Sequence, residues 1–255
     1  MSRFPAGALF LAAPLSLLAA GAALAEPRYY PLDSTAGLRL HHVTAEPATL
    51  LGNKGVRITM ADESRRRFEE MRKAQQQGPA APQRPSIELL AAIEGLAFAN
   101  GTIEAEIAGE PAPGAGEGAR GFVGLAFRVQ NDLRTYDAFY LRPTNGRAED
   151  QARRNHAAQY ISHPDWPWFR LREETPSKYE AYVDLVAGVW TRIRIEVQGE
   201  RARLYVHDQE QPTLIVNDLK TGTQGSGGVA LWLDVSTVAH FRGLTVTPAM
   251  RSGAP

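Results

Sequence analysis

The sequence predicts an all-β protein, folded as a two-sheet antiparallel jelly-roll sandwich with a helical surface insertion. Short runs rich in β-branched and aromatic residues recur at near-regular spacing, and clusters of Gly, Pro, Asn and Asp separate them. This pattern is typical of sandwiches and jelly rolls. Strands do not alternate regularly with helical segments, which disfavours a parallel sheet covered by helices.

The composition narrows the class of protein and its partners. The chain contains no cysteine, so packing rather than disulfides must stabilise it. It carries 28 basic and 28 acidic residues, a balance that favours neither nucleic acid nor an anionic membrane as a partner.

Residues 1–25 have the pattern of a secretory signal peptide. Arg3 supplies a positive charge, residues 6–18 are mostly apolar, and Ala23-Leu24-Ala25 fits a small-residue cleavage site. A membrane anchor is the alternative, but spanning needs roughly 20 apolar residues and this stretch contains Pro14. We therefore expect a periplasmic or secreted bacterial protein with no membrane span after cleavage.

The remaining chain predicts one sandwich domain over residues 26–248 and a tail over 249–255. A surface insertion is expected at 62–86, where a charged helix over 62–77 precedes a stretch rich in Pro, Ala and Gln. A second insertion of loop and strand is expected at 143–185. The predicted strands include Val56–Met60, Ile87–Ile93, Gly101–Ile107, Gly121–Gln130, Tyr136–Arg142, His156–Ser162, Lys178–Leu185, Trp190–Gln198, Ala202–His207, Gly228–Val235 and His240–Thr247.

Successive side chains of a strand point to opposite faces, so each run has a core-facing (dry) side and a solvent-facing (wet) side. The wet side collects an unusual polar and aromatic set: Arg128, Tyr140, Arg142, Trp232 and Asp234. Aromatic plates with arginine and carboxylate groups suit sugars, which have apolar C–H faces and hydroxyl rims. The alternative is that loops cover this set as satisfied polar packing. Burial of Trp232 and Arg142 beneath the insertion would contradict both sugar binding and glycoside hydrolysis as placed on this face.

The second insertion contributes further candidates. Proline residues flank Trp166 and Trp168, and a rigid loop lowers the entropy lost when a ligand binds. We predict that Trp166 forms a stacking platform beside Gln159 and His156. Plugging the end of the core is an equal alternative for Trp166 and the favoured one for Trp168.

From about Gly121 onward the chain resembles the concanavalin A-like lectin/glucanase superfamily, and most of all exported bacterial 3-keto-disaccharide hydrolase-like domains related in shape to laminin-G modules. The resemblance rests on six segments, at residues 121–128, 136–143, 189–197, 202–206, 227–232 and 239–246. It implies a jelly roll that binds its ligand on a concave sheet, and this agrees with the wet side assigned above.

The sequence gives less specific evidence for a catalytic reaction than for the fold. Glycoside hydrolysis needs two carboxyl groups at controlled separation, and the E-x-D-x-E strand motif of related glucanases is absent. The candidate catalytic residues are Asp234, His156 and Glu180, the last paired with Asp184 on one strand face. The six histidines match no metal motif, so we predict no metal site and no cofactor. A structural calcium ion is left as an alternative to which we assign no residues.

The leading hypothesis is an exported carbohydrate-binding sandwich with a saccharide on its concave face. Its predicted ligand-binding residues are Arg128, Tyr140, Arg142, Gln159, Trp166 and Trp232. One alternative is a glycoside hydrolase or lyase that acts on a 3-keto-disaccharide or similar glycoside. Another is a laminin-G-like protein-interaction domain.

Overall fold

The computed structural model describes residues 25–77, 86–222 and 225–249. The predicted signal peptide, the Pro- and Gln-rich stretch 78–85 and most of the tail therefore lie outside the described residues. Two antiparallel sheets, of eight and seven strands, form the molecule. The predicted fold class, a two-sheet antiparallel sandwich, is confirmed.

Fifteen strands and three α-helices make up the described chain. The strands are β1 Arg28–Tyr30, β2 Leu38–His41, β3 Val43–Leu50, β4 Asn53–Met60, β5 Leu89–Ile93, β6 Gly101–Pro111, β7 Val123–Val129, β8 Tyr136–Leu141, β9 Ala158–His163, β10 Glu180–Ala181, β11 Thr191–Gln198, β12 Arg201–Val206, β13 Leu214–Val216, β14 Gly228–Leu233 and β15 Thr237–Pro248. The helices are α1 Asp62–Gln77, α2 Gln151–Asn155 and α3 Trp168–Glu174, and a 3₁₀ turn covers Pro143–Asn145.

The two sheets interleave along the chain. The eight-stranded sheet has the order β13-β12-β11-β6-β15-β4-β3, and β1 also pairs with β15. The seven-stranded sheet has the order β10-β9-β8-β7-β14-β5-β2. Adjacent strands such as β7 and β14 are far apart in sequence, so the order of the strands within each sheet depends on long-range pairing.

The core lies between the two sheets. Ile103, Phe127, Phe139 and Leu231 belong to one continuous cluster of buried apolar side chains. Val123 on β7 lies directly against Gly109 on β6, which shows that the odd-numbered positions of β7 face the eight-stranded sheet. Gly124 and Ala126 therefore occupy the opposite face of the seven-stranded sheet.

A β-bulge interrupts this alternation at Arg128. Phe127 pairs with Val229 and Val129 pairs with Gly228, so Arg128 is left without a partner in the register. Its φ angle is 54°, in the left-handed region. A bulge re-aims the side chain of the extra residue, and for this reason Arg128 does not follow Gly124 and Ala126.

The predicted helix over 62–77 is present as α1. Two further helices, α2 and α3, occupy a region where the sequence pattern predicted only charged loop and a proline-bounded turn. The predicted strand Lys178–Leu185 is reduced to the two residues of β10. None of the helices within the described residues is long and apolar enough to cross a membrane.

Candidate functional site

A cavity of about 720 Å³ lies on the face of the seven-stranded sheet that carries Gly124. This volume is within the usual range of small-molecule sites. Residues of both predicted insertions line it, including Phe68 of α1 and Trp168 of α3. Asp150 and Phe169 also line the cavity and are exposed, so it opens to solvent on their side.

Two stacked aromatic rings form part of the cavity lining. Trp232 on β14 and Tyr140 on β8 both pair in register with Gly124 on the intervening β7. Because glycine has no side chain, the two rings meet across β7, with centroids 4.6 Å apart and an interplanar angle of 22°. The indole Nε1–H of Trp232 donates to the Tyr136 hydroxyl at 3.1 Å.

Gly124 is required by this packing. A Cβ atom at position 124 would lie 2.6 Å from both Cα and Cβ of Tyr140 and would also meet the carbonyl oxygen of Phe139. Real Cβ contacts are not this close, so a side chain here would displace β8 or tilt the ring of Tyr140. From the sequence we expected Gly124 to leave space above the sheet for a ligand. In the structure the rings of Tyr140 and Trp232 occupy that space.

Arg142 follows Tyr140 on the same face and organises the polar part of the wall. Its Nη2 donates to the Tyr140 hydroxyl at 2.8 Å and to Gln159 Oε1 at 3.1 Å. Its Nη1 donates to the carbonyl of His156 at 2.9 Å and lies 3.4 Å from Glu180 Oε1. Charge-assisted hydrogen bonds of this kind fix the position of the guanidinium group. We call Arg142, Tyr140, Gln159, Glu180 and His156 the Arg142 cluster.

The side chains of Tyr140, Arg142 and Trp232 are only 2%, 4% and 7% exposed. The prediction of an open, solvent-facing set is therefore wrong. The insertions cover these residues, as the alternative anticipated, but the cover leaves a cavity against them rather than solid packing.

Trp168 supplies an aromatic side wall. It is the first residue of α3, and its ring lies 4.7 Å from the guanidinium carbon of Arg172 and 5.8 Å from that of Arg142. Phe122, which precedes β7, packs against Tyr140 with centroids 6.0 Å apart. Aromatic surface therefore borders the cavity on more than one side.

Asp234 lines the cavity just beyond the end of β14. Its Oδ1 accepts a hydrogen bond from the backbone N–H of Val235 at 2.6 Å. Burial raises the pKa of this carboxyl, and the hydrogen bond from Val235 and the charge of Arg142 only partly oppose that effect. A carboxyl group whose pKa is raised in this way is suited to donate a proton or a hydrogen bond.

His156 and Glu180 form a pair at the edge of the cavity. His156 lines the cavity, and its Nδ1 lies 2.8 Å from Oε2 of Glu180. Burial lowers the pKa of the imidazole, while the charge of Glu180 raises it. Glu180 is itself buried and pairs with Arg172 and Arg142. It does not line the cavity, but it contacts side chains that do, and so helps to fix their positions.

The predicted site residues thus fall into two groups. The structure brings Tyr140, Arg142, Trp232, Asp234 and His156 to one cavity, with Gln159 and Glu180 directly behind them. Asp184 is not beside Glu180 in the wall, because β10 ends at Ala181 and Asp184 forms an exposed ion pair with Arg147 at 2.8 Å.

Arg128 is placed elsewhere, contrary to the prediction. Its side chain is fully buried and donates to the carbonyls of Ala99, Gly199 and Gly222, to Thr221 Oγ1 and to Asn100 Oδ1. It does not line the cavity, because the bulge in β7 turns it away. Regular alternation cannot anticipate a bulge, and the glycines at 227 and 228 were the only local signal of one.

Trp166 also lies outside the cavity lining, and Trp168 takes the place predicted for it. The Trp166 ring packs against Arg170 at 4.0 Å and Lys220 at 4.7 Å. The proline-bounded motif thus located the aromatic wall but did not indicate which of its two tryptophans forms it. Sequence reasoning also missed Arg120, Phe122 and Arg153, which line the cavity.

Within the described residues, no group of three or more His, Asp or Glu side chains is placed to hold a metal ion. The open question of a structural calcium ion therefore gains no candidate residues.

Comparisons with known proteins found structural similarity only. No family model matches the chain, and no curated protein sequence matches it. Carbohydrate-binding module CBM66 from Bacillus subtilis is 12% identical, with 82% of this chain and 97% of that chain covered and a TM-score of 0.46. A β-glucanase from Bacillus licheniformis is 14% identical, with 87% and 98% covered and a TM-score of 0.42.

Domain 4 of an extracellular GH43 arabinanase from Geobacillus stearothermophilus, solved with arabinotriose, is also similar. It is 11% identical, with 89% of this chain and 84% of that chain covered and a TM-score of 0.40. At these identities and TM-scores the similarity transfers no function, and the argument for function depends on the cavity itself.

Proposed function

We propose that this chain binds a saccharide in the cavity on the seven-stranded sheet. The observation that carries the proposal is the combination of aromatic surface and fixed polar groups around one cavity. The half-buried rings of Phe68, Phe122 and Trp168 supply accessible apolar surface. Asp234 and Arg142 supply polar groups, and the stacked rings of Tyr140 and Trp232 complete the buried wall beside them. Sugars need both, because their C–H faces stack on rings and their hydroxyls require hydrogen-bonding partners.

The geometry also supports binding without a large conformational change. Arg142 holds the Tyr140 hydroxyl, Gln159 and the backbone of His156 at the same time, so the polar wall is already ordered. A preorganised wall loses less entropy when a ligand binds. The predicted laminin-G-like interaction domain has less support, because the distinctive residues lie in a cavity rather than on an exposed patch.

Trp168→Ala tests the proposal, with Trp166→Ala as its matched control. The two tryptophans are half-buried and two residues apart, but only Trp168 lines the cavity. Calorimetric titration with a panel of neutral and charged oligosaccharides is expected to find a ligand whose affinity falls about tenfold or more in Trp168→Ala, a change of about 1.4 kcal/mol. Trp166→Ala should bind as wild type does. Equal losses in both variants, or no binding by the wild-type protein, would count against the proposal.

An enzyme acting on a glycoside is the second candidate, and one specific observation favours it. Asp234, with its raised pKa, and His156, backed by Glu180, line the same cavity. One group is thereby biased towards its protonated form and the other towards a neutral base, which is the arrangement that acid–base chemistry needs. Product release from a 3-keto-glycoside, lost in both Asp234→Asn and His156→Ala, would support the enzyme. Tight binding with no product would support the binding protein alone.

A further inference from the structure

The cavity carries positive charge that the protein does not neutralise. Four arginines line it, at positions 120, 142, 153 and 172, against two aspartates, Asp150 and Asp234. Arg142 and Arg172 share the buried carboxylate of Glu180. Neither Arg120 nor Arg153 has a carboxylate within 4.0 Å among the described residues.

These two arginines are held beside the same residue. The Nη2 of Arg153 donates to the carbonyl and the hydroxyl of Thr144 at 3.2 and 3.1 Å, and its Nε donates to Asn145 Oδ1 at 2.9 Å. The backbone N–H of Thr144 in turn donates to the carbonyl of Arg120 at 3.3 Å. Thr144 therefore ties the chain around Arg120 to the guanidinium group of Arg153.

Both guanidinium groups keep donors unused. Arg120 uses only Nη1, towards the carbonyls of Glu117 and Ala119, and the described residues offer no acceptor to its Nε and Nη2. The Nη1 of Arg153 is likewise without an acceptor within the described part of the chain. Half-buried cations with free donors on a cavity wall are suited to bind an anion, because guanidinium groups match carboxylate and sulfate oxygens in pairs.

The electrostatics of Arg120 agree with this arrangement. Its pKa is lowered, first by burial and then by the positive charges of Arg153 and Arg142. Its neighbours therefore repel its charge instead of compensating it. Neither aspartate of the cavity lining forms an ion pair with these two arginines among the described residues. Asp150 accepts a hydrogen bond from the backbone N–H of Arg153, and Asp234 accepts one from the backbone N–H of Val235, both at 2.6 Å.

We propose that the saccharide bound in this cavity carries an anionic group, a carboxylate or a sulfate ester, and that Arg120 and Arg153 bind it. This inference rests on the proposed function and names the class of sugar that the same site takes. The ring faces of the sugar would contact the half-buried rings of Phe68, Phe122 and Trp168, while the two arginines select the charge.

The test compares charged sugars with uncharged partners of the same shape. Calorimetry measures the affinity for an oligogalacturonide and its methyl ester, and for a sulfated oligosaccharide and its desulfated form. Arg120→Gln and Arg153→Gln are the test variants. Arg154→Gln is the matched control, because Arg154 is adjacent to Arg153 in α2 but bonds to the Tyr182 hydroxyl and does not line the cavity.

We expect at least one charged ligand to bind about tenfold or more tightly than its uncharged partner, with an affinity that falls as salt is added. The charged member of the pair that shows this preference identifies the anionic group. Each test variant should lose the preference for the charged form, whereas Arg154→Gln should keep it. Circular dichroism and thermal denaturation of each variant show whether it has folded.

Two results would overturn the inference. Equal affinity for charged and uncharged forms would show that the cavity does not select an anion. A preference retained in Arg153→Gln would show that Arg153 does not bind the anionic group. If the uncharged sugars still bind and depend on Trp168, the proposed function survives either result. If none of the four ligands binds, the proposed function fails together with the inference.

Discussion

Arg128 and Arg142 are both buried arginines of the seven-stranded sheet, yet their surroundings differ in a way that separates structure from function. Arg128 donates five hydrogen bonds to loops around it and lies 4.0 Å from the buried Asp137. We call Arg128, Asp137, Tyr160 and Thr221 the Arg128 cluster. Arg142 lines a cavity of about 720 Å³, whereas Arg128 is not among the described residues that line it.

This comparison shows that burial alone does not identify a site. The exposed fractions of the two arginines, 0% and 4%, are almost the same. What differs is whether space for a ligand remains beside the polar groups. The hydrogen bonds of the Arg128 cluster join β7, β8, β9 and the loop after β13. The Arg142 cluster instead orders one wall of the cavity.

The largest expected effect separates these two clusters. Arg128→Met leaves Asp137 buried without its cation, and breaking a buried pair in this way costs about 3–5 kcal/mol of unfolding free energy. Arg142→Met should cost less, because Arg172 still neutralises Glu180. It should, however, abolish saccharide binding.

Urea denaturation and calorimetric titration of both variants measure the two effects. Arg201→Met is the control, since Arg201 is exposed on β12, and its change should stay within about 0.5 kcal/mol. Equal stability losses at positions 128 and 142, with binding unaffected by either, would remove the distinction between the clusters.

A smaller effect is expected for Gly124→Ala. The added methyl group would meet the Phe139 carbonyl and Tyr140 Cβ, so we expect a loss of about 1–3 kcal/mol of unfolding free energy from overpacking. The stack of Tyr140 on Trp232 should be disturbed, with a change in near-ultraviolet circular dichroism and weaker saccharide binding. Gly116→Ala is the control, because a Cβ atom there meets nothing within 4 Å. Unchanged stability and binding in Gly124→Ala would show that the stack does not depend on close approach of the strands.

The smallest effect concerns the pH dependence of stability. Burial raises the pKa of Asp234 in the folded protein, so the folded state retains a proton that the unfolded state has released. Stability from this group is present below the ordinary aspartate pKa of about 4 and is lost as the pH rises to the folded-state pKa. Asp234→Asn, which keeps an acceptor for the Val235 N–H, should remove this loss, so its stability relative to wild type should increase as the pH rises.

The relevant measurement is the unfolding free energy of wild type and of Asp234→Asn, followed from below the ordinary aspartate pKa of about 4 up to neutral pH. The difference in unfolding free energy between the two proteins reports the titration of Asp234 alone, because Asp137, whose pKa is also raised mainly by burial, is present in both. A difference that stays constant over this pH range would show that Asp234 titrates normally.

The sequence predicted the sandwich well because period-two alternation and turn residues are local signals. It placed Tyr140, Arg142, Trp232 and Asp234 on one face, and the register of β7, β8 and β14 brings them together. It could not place Arg128, because one extra residue in β7 reverses the side that alternation assigns. It could not separate Trp166 from Trp168, since the start of α3 decides which ring meets the cavity. Arg120 and Arg153 were missed because their convergence depends on contacts with Thr144 that no strand pattern encodes.

The central claim is that the cavity beside Trp232 is the binding site, and the indole N–H signals of the four tryptophans test it most directly. Trp168 and Trp232 line the cavity, whereas Trp166 does not and Trp190 donates to the Leu50 carbonyl at 3.0 Å, away from it. In a nuclear magnetic resonance titration with the oligosaccharide panel, we predict saturable shifts of the Trp168 and Trp232 signals and none for Trp190. Saturable shifts confined to Trp190 or Trp166, or no saturable shift of Trp232 with any saccharide, would contradict the account.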